Sequence, residues 1–98
     1  MMVAFSISPG GVGESVSGLV ADCVRIVRES GLENRTDAMF TTVEGDWDEV
    51  MAVVKRCVDH VAAHAPRVGL VLKADHRPGH PQTMADKVAS VDRRLAEQ

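Results

Sequence analysis

Tyrosine is absent from this 98-residue chain, and the other large aromatics number three: Phe5, Phe40 and Trp47. An aromatic ring beside a cluster of polar groups is therefore informative. Cysteine is equally scarce. Cys23 and Cys57 are too few for a disulfide framework. Both fall in apolar, helix-like patterns, where a buried free thiol is the expected state. No apolar run approaches the roughly 18 residues that would suggest a membrane span. Residues Met1 to Ser6 lack the basic region and apolar stretch of a secretion signal, so a cytoplasmic location is expected. Excess positive charge is missing too: 11 basic residues against 14 acidic leave a net charge of −3. That balance disfavours nucleic acid, whose binding rests on Lys and Arg neutralising phosphates.

What is present fits an ordinary globular domain. Hydrophobic residues make up 45% and charged residues 26%, which argues against a disordered or collagen-like chain. The length suits one domain over residues 1–98.

Val3, Phe5 and Ile7 alternate with Ala4, Ser6 and Ser8, the period of a half-buried strand, and Pro9 to Gly13 then read as a loop. Ser15 or Ser17 can cap a helix whose apolar stripe is Val16, Leu19, Val20, Cys23, Val24 and Val27, with Gly31 as its stop. Glu33 to Gly45 reads as two short strands joined tightly near Asp37-Ala38-Met39. Asp46 and Glu49 have capping-box spacing ahead of a second helix with the stripe Val50, Val53, Val54, Cys57, Val58 and Val61. Val68 to Leu72 reads as a strand covered on both faces, and Lys73 to Gln82 as a polar loop. Thr83 and Asp86 cap a last helix with a narrow stripe of Met84, Val88, Val91 and Leu95, suited to docking against something else.

The order strand–helix–strand–strand–helix–strand–helix predicts an α+β, ferredoxin-like βαββαβ fold, with two helices on one face of an antiparallel sheet and an added C-terminal helix. The other sheet face, near Val71, is then bare in a monomer, which predicts oligomerisation through that face.

Most chemical motifs fail on inspection. Gly10-Gly11-Val12-Gly13-Glu14-Ser15 sits where a phosphate loop would, but Glu14 replaces the required Lys, so a plain turn is expected. Cys57, His60 and His64 have a spacing that could hold a soft metal, yet Cys57 belongs to the core stripe and no Glu follows the first His; no metal site is assigned. No Ser–His–Asp or Cys–His arrangement marks a nucleophile, so catalysis is not expected.

The informative segment is Thr41-Thr42-Val43-Glu44-Gly45-Asp46-Trp47, with Phe40 before it. Alternation sends Phe40, Thr42 and Glu44 to one face and Thr41 and Val43 to the other. Its carboxylate, hydroxyls and rings suit a planar, cationic or amine-bearing heterocycle. On chemistry alone, a solvated Glu44 and a staple-like Trp47 explain the same residues more simply.

In these motifs the chain resembles the small thiamine-binding protein family over nearly its whole length. The shared pieces are Val3 to Pro9, Ser15-Val16-Ser17, Thr41-Thr42-Val43-Glu44-Gly45 with the acidic helix start Asp46 to Val50, Lys73 to Arg77, and Lys87 to Val91. The resemblance implies a ferredoxin-like fold, assembly into homodimers or homotetramers, and non-catalytic binding of thiamine or its hydroxymethylpyrimidine portion, without a cofactor. It points to Glu44, Thr42 and Thr41 as ligand-binding residues, with Ser6 as a further one. Phe40, Met39 and Trp47 are then expected to line the ring. The chain departs from the family in having Asp37-Ala38 where Gly-Pro is common, and Phe40 where a smaller or polar residue is common. The competing expectation is an oligomeric interaction or regulatory module without a thiamine site.

Overall fold

The computed structural model describes residues 1–13, 17–79 and 83–97. Its elements are β1 (Met2–Gly10), α1 (Ser17–Glu29), β2 (Glu33–Thr36), β3 (Thr41–Glu44), α2 (Trp47–Ala62), β4 (Arg67–Asp75) and α3 (Met84–Ala96). The expected element order is therefore observed. The expected residues 14–16, including the Ser15 cap and Val16, and residues 80–82 of the late loop lie outside the described residues.

The four strands form one antiparallel sheet in the order β2-β3-β1-β4. β1 runs antiparallel to both neighbours, so β1 is parallel to β2 and β3 is parallel to β4. Each parallel pair is bridged by a helix, α1 for the first and α2 for the second. This is why the two connections are helical rather than tight turns.

Register separates the two faces. Val3 lies across from Val43 and Phe5 across from Thr41, and these four side chains are buried under α1 and α2. Cys23 and Val27 of α1 and Val50, Val53, Val54, Cys57 and Val61 of α2 complete that core. Each fully buried valine contributes about 1.5–2 kcal/mol by leaving water. The opposite face carries Met2, Glu44 and Asp75 in one row, Ala4, Thr42 and Lys73 in the next, and Ser6 beside Val71 in the third. Neither α1 nor α2 covers it.

Four expectations need correction. β1 continues through Pro9 and Gly10, which pair with Val68 and Arg67 of β4 rather than forming a loop. Beyond Phe5 the other side of β1 is an edge, and a strand with a free edge tolerates a residue lacking an N–H. Lys73 to Asp75, expected in a loop, extend β4 by pairing with Ala4 to Met2; the ladder overrides their polarity by turning Lys73 and Asp75 to the uncovered face. β4 is not covered on both faces, since Leu70 and Val71 remain exposed. Asp46 precedes α2 but makes no side-chain cap bond; only its carbonyl is used, accepting from the Val50 N–H. By contrast, the Thr83–Asp86 capping box forms, with Thr83 Oγ1 accepting from the Asp86 N–H at 3.0 Å and Asp86 Oδ2 from the Thr83 N–H at 3.2 Å.

Gly11 carries a specific constraint after β1. Its φ is +79°, and a Cβ there would lie 2.5 Å from Pro66 Cγ. Gly11→Ala adds left-handed backbone strain to a clash with a rigid ring. A loss of about 2 kcal/mol is expected, read as a fall of about 10 °C in Tm.

α1 and α2 are also joined at their outer edge. His60 Nε2 lies 2.9 Å from Asp22 Oδ2, and the ring of His64 stands edge-on to that of His60. The His60 hydrogen bond, aided by the charges of His60 and Arg25, holds the Asp22 carboxyl below the ordinary carboxylate value. A depressed carboxylate stabilises the fold above its unfolded pKa, and this stabilisation is lost as pH falls through the folded pKa. Asp22→Asn is thus expected to be less stable than the parent at pH 7, with the difference closing as pH falls through the lowered Asp22 pKa. Thermal melts across that range check it.

Candidate functional site

β3 spans four residues, so it covers only the Met2 to Phe5 part of β1. From Ser6 to Gly10, β1 pairs with β4 alone. No described strand pairs with the other edge of β1 there, which leaves backbone N–H and C=O groups facing the gap. The gap is roofed by the β2–β3 turn and closed behind by α1. The result is a cavity of about 310 Å³.

Each wall has a local cause. The turn is held by Asp37, whose Oδ1 accepts from the N–H groups of Met39 at 2.8 Å and Phe40 at 2.9 Å, while its own N–H donates to the Phe40 carbonyl. Those two bonds, Phe40 first, hold the Asp37 carboxyl below the ordinary range. Asp37 thus builds the turn through its side chain. Thr36 and Thr41 flank the turn with hydroxyls 3.4 Å apart. The helix wall is Val20, Cys23, Val24 and Val27 of α1, and the strand wall is Phe5 to Ser8. Phe40 lines the cavity and leaves it open. Among the described lining residues only Asp37 is charged.

Of the seven residues expected at a site, four meet here: Ser6, Met39, Phe40 and Thr41. Thr42 lies on the uncovered face, in a separate depression of about 410 Å³ with Met2, Ala4, Lys73, Ala74, Asp75 and Lys87. Glu44 is beside it, and its Oε2 accepts from the Met84 N–H at 2.9 Å, joining β3 to the start of α3. Trp47 is half exposed at the start of α2, with its ring edge-on to His76 at 5.5 Å. The structure thus divides the Thr41–Trp47 segment between two places.

Sequence reasoning missed the helix wall, the Ser8 end of the strand wall and the Thr36 hydroxyl. One signal was available. Val20 and Val24 widen the α1 stripe beyond what the core takes up, for Val20 stays 40% exposed. The spacing Cys57, His60, His64 does not converge: Cys57 is fully buried in the core while His60 turns out to Asp22. Among the described residues, no group of three or more His, Cys, Asp or Glu side chains is placed to hold a metal. No helix among them is long and apolar enough to cross a membrane.

This fold is shared by proteins of one class. Residues 3–92 match the profile of the family described as thiamine-binding protein, and the chain belongs to that family. Among its relatives, a UPF0045 protein of Mycobacterium tuberculosis is 58% identical over 96 residues, covering 97% of this chain and 94% of the relative. A solved protein of Methanocaldococcus jannaschii is similar with a TM-score of 0.84 at 32% identity, covering 93% of this chain and 94% of that one. A Thermotoga maritima protein, proposed to serve in thiamine biosynthesis or salvage, shares the fold with a TM-score of 0.80 at 23% identity, covering 92% and 96% of the two chains.

Proposed function

We propose that this protein binds thiamine or its hydroxymethylpyrimidine portion, without catalysis, in the cavity beneath the β2–β3 turn. The observation that carries the reading is the cavity itself. Its size falls at the lower end of small-molecule sites, and its walls present polar and apolar surface in equal measure. An aminopyrimidine is flat and carries N–H donors and ring-nitrogen acceptors along one edge. The unpaired backbone edge from Ser6 and the hydroxyls of Thr36 and Thr41 offer complementary groups. Phe40 and Met39 supply a surface for the ring, and Asp37 is the nearest negative charge for a thiazolium. Membership of the thiamine-binding protein family supports the same reading.

In this reading Thr42, Glu44 and Trp47 serve the second, uncovered face. The strand order β4-β1-β3-β2 with helices joining the parallel pairs supports a ferredoxin-like arrangement. The exposed Val71, together with the exposed Val88, Val91 and Leu95 of α3, supports assembly of homodimers or homotetramers through that face. We take the protein to work in the cytoplasm as a carrier, buffer or sensor.

The test is calorimetric titration with thiamine, hydroxymethylpyrimidine and thiamine diphosphate. Saturable binding of thiamine or of the pyrimidine alone is expected, and shows which half is recognised. Absence of heat with all three, in protein shown to be folded, would overturn the reading in favour of an interaction module.

A further inference from the structure

We propose that the cavity is also the route by which a small peroxide reaches Cys23, and that Cys57 resolves the product as a reversible disulfide clasping α1 to α2. This rests on the cavity and the thiol pair, not on the identity of the ligand.

Cys23 lines the cavity wall from α1, at 6% exposure. Cys57 stands behind it on α2 and is fully buried. The two thiols make reciprocal contacts: Cys23 Sγ donates to the Cys57 carbonyl at 3.7 Å, and Cys57 Sγ to the Cys23 carbonyl at 3.6 Å. Two residues 34 apart in sequence are thus brought together where the helices meet. They are the chain's two cysteines, and neither is in a disulfide.

The pair is asymmetric. Cys23 borders the open cavity, whereas Cys57 has no exposed surface and is reached only past Cys23. Cys23 is therefore the attacking sulfur and Cys57 the resolving one, the arrangement of a thiol poised beside its partner. The Cys23 thiolate attacks one oxygen of hydrogen peroxide. An S–O bond forms, the O–O bond breaks, and the departing hydroxide leaves as water with the proton Cys23 gave up. The Cys57 sulfur then attacks the sulfenic sulfur. The S–S bond forms, the S–O bond breaks, and the departing hydroxide takes the Cys57 proton as a second water. Two thiols are oxidised to one disulfide while the peroxide is reduced to water, and a dithiol reductant reverses the change.

Folded protein is exposed to hydrogen peroxide, quenched by alkylation in denaturant and weighed intact. The expected product lacks two hydrogens, takes up no alkylating agent and regains both thiols with dithiothreitol. Cys57→Ala is expected to stop at a sulfenic acid on Cys23, trapped by dimedone. Val20→Trp and Met39→Trp fill the cavity from exposed positions on two different walls, and each is expected to slow oxidation at least about tenfold, since reactivity follows access. The proposal is overturned if both thiols stay alkylatable once glutathione in the same tube is consumed. It is also overturned if oxidation proceeds equally fast in both filled variants and follows global unfolding in urea.

Discussion

Val43→Asp is expected to leave the chain unfolded in water. Val43 has no exposed surface, lies across from the equally buried Val3, and sits in the core that α1 and α2 close over the sheet. A carboxylate there has no partner, and the penalty for burying an unpaired charge runs to several kcal/mol even after the group takes up a proton. A domain of this size has about 5–10 kcal/mol to lose. Val43→Ala removes only apolar contacts and is expected to cost about 2 kcal/mol, leaving a folded protein with a lower Tm. Thr42→Asp, one residue earlier on the uncovered face, is expected to stay within about 1 kcal/mol of the parent. Far-UV circular dichroism and urea melts of the three variants check the ordering. A folded Val43→Asp protein would mean that the face assignment of β3 is wrong.

Val20→Trp is expected to weaken binding of thiamine or its pyrimidine more than about 100-fold, equivalent to about 2.7 kcal/mol. Val20 projects from α1 into the cavity wall while remaining 40% exposed, so an indole can enter the cavity without displacing the core. The variant should therefore melt close to the parent. Val20→Ala enlarges the same space and is expected to change affinity little. Calorimetric titration of both variants, with circular dichroism as the check on folding, decides the matter. Parent-like affinity in Val20→Trp would move the ligand to the depression beside Thr42 and Lys73.

Much of the fold was legible in the residues. The period-two run from Val3 and the two valine-rich helical stripes specify a strand and two helices through burial alone. Asp37 to Met39 read correctly as a turn because the chemistry of an aspartate turn is local. Two local readings failed for a common reason. Lys73 to Asp75 look like loop but are strand, because their partners lie some 70 residues earlier, at Met2 to Ala4. Asp46 looks like a capping side chain but is not one, because spacing does not fix its rotamer. The site was only half legible. Alternation set Thr41 apart from Thr42 and Glu44, as the cavity does, but it grouped Phe40 with those two, whereas Phe40 precedes β3 and lines the cavity beside Thr41. Its back wall comes from Val20 to Val27, whose placement beside Phe40 depends on how α1 crosses the sheet. No spacing rule within either segment contains that information.

α3 meets the rest of the chain through its first turn, where the Met84 N–H reaches Glu44 and Lys87 pairs with Asp75. No residue of the helix is buried, and the chain is 50 Å long against 28 and 20 Å across. Mechanically this is a lever hinged at one end. Thirteen helical residues span about 20 Å, so a tilt of about 10° at the hinge carries the far end through about 3 Å. The hinge carboxylate belongs to β3, the strand that begins with Thr41 in the cavity wall. Any tilt of α3 about that contact would therefore carry Leu95 farther than the β3 residues that hold the helix.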